Sequence, residues 1–173
     1  MNCCSNKGSA IRIEGELSVD ILDAREPMDD PALICRGCGN AGRIVPRKTM
    51  VLMLKSERIG LVDNNQYRFC FNPSCSVVYF AEYSNSTFTT NDLRVRVGVK
   101  ETQGRIPICY CFGFDETDLR KELGESGQTT IPARIALLIR QGFCACLEKN
   151  PSGACCLGEI NKAIKRLTAC DLR

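Results

Sequence analysis

Apolar positions follow two different rhythms along the chain. Through the first hundred or so residues they come in short runs, and further on they recur with helical spacing. Residues 67–71 (Y-R-F-C-F) and 77–80 (V-V-Y-F) are apolar, β-rich runs on either side of a turn. Residues 93–100 (L-R-V-R-V-G-V-K) alternate, with Val95, Val97 and Val99 on one side and Arg94 and Arg96 on the other, which predicts a half-buried strand with a solvated basic face. Residues 49–55 (T-M-V-L-M-L-K) form an unbroken apolar run that fits a short helix or a buried strand, and Asp63-Asn64-Asn65 reads as a turn.

Residues 100–107 (K-E-T-Q-G-R-I-P) mark the boundary to the helical part. Asp115-E-T-D opens a helix that runs through Leu119 and Leu123 and ends at Gly124. Thr130 is the expected N-cap of the next, with Pro132 in its first turn, Ile135, Leu138 and Ile139 on its apolar face and a stop at Gly142. A last helix starts at or just after Cys156. Leu157, Ile160, Ile164 and Leu167 form its apolar stripe, and Lys162, Lys165 and Arg166 lie on the far side and in the last turn. Residues 1–34 are the least readable. Positions 11–13 and 17–22 fit short strands, and 25–31 (R-E-P-M-D-D-P) an acidic, Pro-bounded linker. The pattern predicts an α+β protein with three parts: an N-terminal extension with a mobile tail at 1–34, a small β-rich module at 35–100, and a helical module at 101–173.

Composition changes this picture through one residue type. The chain has 173 residues, 44% hydrophobic and 25% charged, an ordinary globular balance, but it holds 13 cysteines and no histidine. The N-terminus (M-N-C-C-S-N-K-G) has no apolar core of a signal peptide, and no apolar run approaches the ~18 residues of a membrane span. A cytoplasmic chain without membrane insertion is therefore expected, and there thiols stay reduced, so metal ligation is favoured over disulfides. Without histidine any soft-metal centre is held by thiolate alone, which excludes a Rieske cluster. Two four-thiolate centres at about −2 each would take the formal +3 to about −1, so the mild basicity is no argument for nucleic acid.

The cysteines are grouped. Cys35-R-G-Cys38-G has the form of a zinc knuckle, in which Gly37 and Gly39 let backbone N–H groups turn toward the thiolates. Cys70-F-N-P-S-Cys75 is the matching knuckle, between the two β-rich runs. Together they predict a closed, structural four-Cys zinc site; a rubredoxin-like single iron uses the same ligands, and spacing alone does not decide. Further on, Cys109-Y-Cys111 is followed by Cys144, Cys146, Cys155 and Cys156. The C-x-C opening favours an iron–sulfur cluster over zinc. Cys109 and Cys111 belong to every arrangement, while the second pair is open between Cys144/Cys146 and Cys155/Cys156. Adjacent side chains diverge, so Cys155 and Cys156 are not both expected to ligate, and Cys156 has the advantage of a helix N-terminus. Cys3 and Cys4 are either a solvated tail or a soft-metal capture point, since paired thiols suit Cu(I).

A C-x-C, two short helices and then cysteines opening a third helix resembles the bacterioferritin-associated ferredoxin-like 2Fe–2S module. A longer set of motifs in fixed order resembles the N-terminal zinc/2Fe–2S part of the CopZ-type copper chaperones. The set is C-x-x-C, F-C-x4-C-x-V-V-Y-F at 69–80, R-V-G-V-K-E at 96–101, C-Y-C, and N-P-S-G-x-C-C at 150–156. The resemblance implies structural Zn2+ on Cys35, Cys38, Cys70 and Cys75 and a 2Fe–2S cluster on Cys109, Cys111, Cys146 and Cys156. Cys144 and Cys155 are left as spare or alternative ligands. In that family this part precedes a copper-binding ferredoxin-fold domain, which residues up to Arg173 do not contain; Cys3 and Cys4 are the candidates to bind Cu+ in its place.

The function expected on this basis is a metallochaperone for copper or another thiophilic metal. Its partners would be metal ions and either a copper-transporting ATPase or a redox protein. A ferredoxin-like electron-transfer protein and an iron–sulfur assembly scaffold are the alternatives. Enzymatic activity is not expected: there is no histidine for acid–base work, no G-x-S-x-G and no Walker motif.

Overall fold

A computed structural model describes residues 30–170 of the chain; the expectations for positions 1–29, including Cys3, Cys4 and the two short strands, lie outside the described residues. Asp30 caps a 3-10 turn at Pro31–Leu33 by accepting the Ala32 N–H. There follow β1 (Arg43–Val45), α1 (Arg47–Met53), α2 (Ser56–Ile59), β2 (Tyr67–Phe69), β3 (Val77–Ala81) and β4 (Thr87–Thr89), then 3-10 turns at Thr90–Asp92 and Gly98–Lys100. The helical part holds β5 (Pro107–Cys109), β6 (Phe114–Asp115), α3 (Glu116–Ser126), α4 (Ile131–Arg140), α5 (Cys146–Lys149) and α6 (Leu157–Cys170). The architecture is α+β.

Strands β1 to β4 form an antiparallel meander, with Val45 opposite Tyr67 and Tyr67 opposite Ala81. The middle strand β3 is buried along its length. A register shift between Val77 and Tyr79 lets it serve two cores. Val78, Tyr79 and Ala81 pack with Val45, Met50, Leu54, Tyr67, Phe88 and Val97, while Val77 and Phe80 pack with Cys35, Cys70 and Cys75. Between β2 and β3 lies an enclosed ion pair, Arg68 Nε to Glu82 at 2.7 Å, and the Arg68 guanidinium also donates to the Gly42 carbonyl. The ambiguous run at 49–55 is helix through Met53, with Leu54 forming a bridge to Leu93.

Residues 93–100 do not form the expected strand. Their alternation survives in burial, since Val97 is in the core and Val95 and Val99 pack against it. Beyond the Leu93 bridge, however, no partner strand is present to complete a ladder among the described residues. The Arg94 N–H instead bonds to the Met53 carbonyl, and Lys100 and Glu101 close a 3-10 turn on Val97 and Gly98. Gly98 is required here by space: a Cβ would lie 1.9 Å from the Pro107 carbonyl oxygen.

Helices α3, α4 and α6 enclose a second core of Ile108, Leu119, Leu123, Ile131, Ile135, Ile160, Ala163 and Leu167. Helix α3 does not stop at Gly124 but runs to Ser126, where Gly127 (φ 70°) supplies the left-handed cap. Thr130 precedes α4 without capping it through its side chain. The Glu122 carboxylate takes the Thr130 N–H at 2.7 Å and the Thr129 hydroxyl takes the Ile131 N–H, so the cap comes from a neighbouring helix and loop. Helix α6 begins at Leu157, as its stripe predicts.

Candidate metal centres

The first knuckle is a tight loop off the Ile34–Ala41 bridge. The Cys38 and Gly39 N–H groups bond back to the Cys35 carbonyl, and the Cys35 N–H to that of Asn40. The second joins β2 to β3, held by Cys70 N–H to Val78 O and Cys75 N–H to Asn72 O. The sheet sets the two loops face to face. Cys35 and Cys75 Sγ lie 3.9 Å apart, Cys38 and Cys70 Sγ 3.6 Å, and all four sulfurs lie within 4.8 Å of one another. A tetrahedral site with metal–sulfur bonds of ~2.3 Å needs sulfurs ~3.8 Å apart, so the four thiols fit a single tetrahedral ion.

The electrostatics of the four thiols differ. Burial, reinforced by the negative charge of Cys70, pushes Cys35 up to about 12 against the Gly37 N–H. At Cys38 burial also acts upward, but N–H donation from Asn40 and the Asn72 amide outweighs it and brings the thiol down to about 7. Burial raises Cys70 while the Asn72 N–H and the Lys100 charge oppose it. Such N–H groups favour bound thiolates, and a metal displaces the remaining protons.

The second set gathers from more distant elements. Cys109 ends β5, Cys111 lies in the turn after it, Cys146 opens α5 and Cys156 sits one residue before α6. The structure brings them together as two close pairs: Cys109 with Cys156 at 3.2 Å and Cys111 with Cys146 at 3.6 Å. The Cys156 thiol donates to Cys109, lowering it to about 7, and to Cys146, lowering it to about 6; Cys156 itself is pushed strongly up by the same bonds. Burial raises Cys111 to about 12, and its sulfur accepts the Ala145 N–H at 3.3 Å. Of the remaining two, Cys144 is half-buried and Cys155 is exposed, with its side chain reaching Cys146. A soft, all-thiolate donor set arranged in two pairs fits an iron–sulfur group.

Sequence reading missed what holds this second set. Helix α5 was not foreseen; it docks on α1, where the Thr49 hydroxyl donates to the Leu147 carbonyl at 2.6 Å. The buried Tyr79 hydroxyl donates to the Pro151 carbonyl at 2.7 Å. Tyr110, between the C-x-C cysteines, accepts the Gly98 N–H at 2.7 Å and donates to the Arg96 carbonyl. Tyr110, Tyr79 and Pro151 lie in the C-Y-C, V-V-Y-F and N-P-S-G motifs, but nothing in those motifs points to these bonds, and Thr49 belongs to none of them. A cleft of about 650 Å³ opens between sheet and α6, with Phe69, Tyr110 and Cys156 in its wall.

Four clustered thiols, three buried and Cys38 partly exposed, form a candidate metal site of the zinc-knuckle class. Residues 32–94, which carry this tetrad, match the zf_CopZ family, described as a zinc binding domain. The copper chaperone CopZ of Archaeoglobus fulgidus is 32% identical over 144 residues, covering 77% of this chain and 67% of that protein. The X-ray structure of the A. fulgidus CopZ N-terminal domain superposes with a TM-score of 0.62 at 29% identity, over 75% of this chain and 95% of that one. The chain belongs to the CopZ family. None of its helices, among the described residues, is long and apolar enough to cross a membrane.

Proposed function

We propose that this protein is a cytoplasmic, non-enzymatic copper metallochaperone built from three parts: residues 1–34, a zinc module at 35–100 and an iron–sulfur module at 101–173. Zinc sits on Cys35, Cys38, Cys70 and Cys75, where three buried thiols and the partly exposed Cys38 supply four ligands to one ion and leave no position for a substrate. Cys109, Cys111, Cys146 and Cys156 hold a 2Fe–2S cluster. The observation that carries the reading is the presence of two separate four-thiol sets in a chain related to a copper chaperone. When bound, such a cluster supplies one electron at low potential, which suits reduction of Cu(II) to the Cu(I) that thiolates prefer.

The chain's own groups support this chemistry. The Cys111 sulfur receives a backbone N–H, and N–H groups of Phe112 and Cys111 favour the Cys109 thiolate. The cleft beside Cys156 gives a small solute an approach. Cys3 and Cys4 receive the Cu(I), and a copper-transporting protein takes it onward. Anaerobically purified protein tests the assignment by metal and sulfide analysis, visible absorption and EPR. The expected result is about one zinc, two iron and two labile sulfide per chain. Serine at any of Cys109, Cys111, Cys146 or Cys156 should bleach or shift the visible spectrum and serine at Cys144 or Cys155 should not; the reverse pattern would overturn the ligand assignment. Removal of residues 1–10 should leave both centres intact and abolish the additional Cu(I) uptake; unchanged copper stoichiometry would remove Cys3 and Cys4 from the scheme.

A further inference from the structure

The segments that carry the second thiol set share a property that their sequence does not show: each is tied by a hydroxyl to the β module. Cys109 and Cys111 flank Tyr110, whose hydroxyl bridges the Gly98 N–H and the Arg96 carbonyl. Cys146 is followed by Leu147, whose carbonyl accepts from Thr49 on α1. The loop from Asn150 to Cys156 is closed by Asn150 and Ser152 on themselves and is fixed to the sheet by Tyr79 through Pro151. The strap that receives Tyr110 is in turn tied to the first thiol set, because Lys100 donates to the Asn72 carbonyl at 2.7 Å and the Asn72 N–H points at Cys70.

We infer that Thr49, Tyr79 and Tyr110 are positioning residues that set, from the β module, where the sulfurs of Cys146, Cys156 and the Cys109/Cys111 pair stand. The physical reason is local. Cys109 ends a three-residue strand and Cys111 lies in the turn after it, α5 is a single helical turn, and the loop before α6 has little apolar anchorage of its own. Short segments of this kind have no cooperative stability by themselves, and groups just outside a ligand shell govern the orientation of the ligands. The exposed Lys48–Glu148 ion pair between α1 and α5 is as short at 2.7 Å, but it joins two flexible, solvated side chains, whereas the Thr49 and Tyr79 bonds end on main-chain carbonyls that have no side-chain freedom to follow a moving donor.

This rests on the iron–sulfur reading above, and the iron and sulfide content of the wild-type protein tests that reading alone. The positioning role is tested in the cluster-free, zinc-loaded full chain by alkylation with N-ethylmaleimide, followed residue by residue by mass spectrometry. Tyr110→Phe should speed labelling of Cys109 and Cys111 roughly tenfold, Thr49→Val that of Cys146 and Tyr79→Phe that of Cys156, each with zinc retained. Thr49→Ser, which keeps the hydroxyl, should restore the wild-type rate. In the loaded protein Tyr110→Phe should shift the one-electron midpoint potential, with about 59 mV for each tenfold change in the redox equilibrium. Unchanged labelling in all three variants, or a uniform rise at every cysteine that Thr49→Ser also shows, would overturn the inference, since a merely structural contribution gives no residue-specific pattern.

Discussion

The two thiol sets of this protein are built on opposite plans. In the first, each pair of cysteines is made by one local loop, and a four-stranded meander needs only to bring two loops together. The loops carry their own backbone hydrogen bonds, and Val77 and Phe80 cover the sulfurs from the sheet. In the second, the close pairs join Cys109 to Cys156 and Cys111 to Cys146, and the four residues come from a strand end, a turn, a one-turn helix and the approach to a long helix. The first set is therefore a product of hairpin geometry, and the second of tertiary docking. The difference teaches that a closed site can anchor a fold, while a site assembled from helix ends borrows its rigidity from its neighbour.

The largest test of this contrast is the loss of one thiol from each set. Cys70→Ala should release zinc and collapse the sheet, because structural zinc binding contributes on the order of 10 kcal/mol of folding energy in small domains. Through the hydroxyl links it should disorder the second set as well. Cys111→Ser should leave zinc content and the melting of the sheet unchanged. Zinc analysis with thermal melts followed by circular dichroism checks both; full zinc and normal stability in Cys70→Ala would show the assignment of the first set to be wrong.

A smaller effect separates the two cores. Ile160 is fully buried between α6, α3 and α4, and Ile160→Ala should cost about 2–5 kcal/mol. Urea denaturation should show the helical part melting early with zinc still bound. A single transition in which zinc leaves at the same denaturant concentration would mean that the two cores fold as one unit.

The smallest effect probes how α3 is held. Asp115 caps it by accepting the Thr117 and Asp118 N–H groups. Burial acts to raise its pKa, but Arg105 and these N–H groups outweigh it and hold the carboxyl below its ordinary value. A depressed folded-state pKa stabilises above the unfolded value near 3.9, and the contribution disappears as pH falls through the lower folded value. Asp115→Ala should cost about 0.5–2 kcal/mol at neutral pH. The gap to wild type should narrow as the pH drops below about 4; a gap independent of pH would assign the loss to packing alone.

The sequence by itself determined the local features. Knuckle loops, the β-rich runs around Cys70 and Cys75, the α6 stripe and its start beside Cys156 are set by neighbouring residues, and neighbours are what a pattern records. The tertiary structure decided the rest. Residues 93–100 alternate like a strand, yet a strand needs a partner, and here the Met53 carbonyl and the Tyr110 hydroxyl take the backbone bonds instead. Gly124 looked like a helix end, but the left-handed turn falls at Gly127, and the cap of α4 comes from Glu122 on the preceding helix. Thr49 and Tyr79 are ordinary core residues in the sequence; that they hold Leu147 and Pro151, 98 and 72 residues away, depends on how the two cores dock. Bonds of that range carry no periodicity, so only the folded chain reveals them.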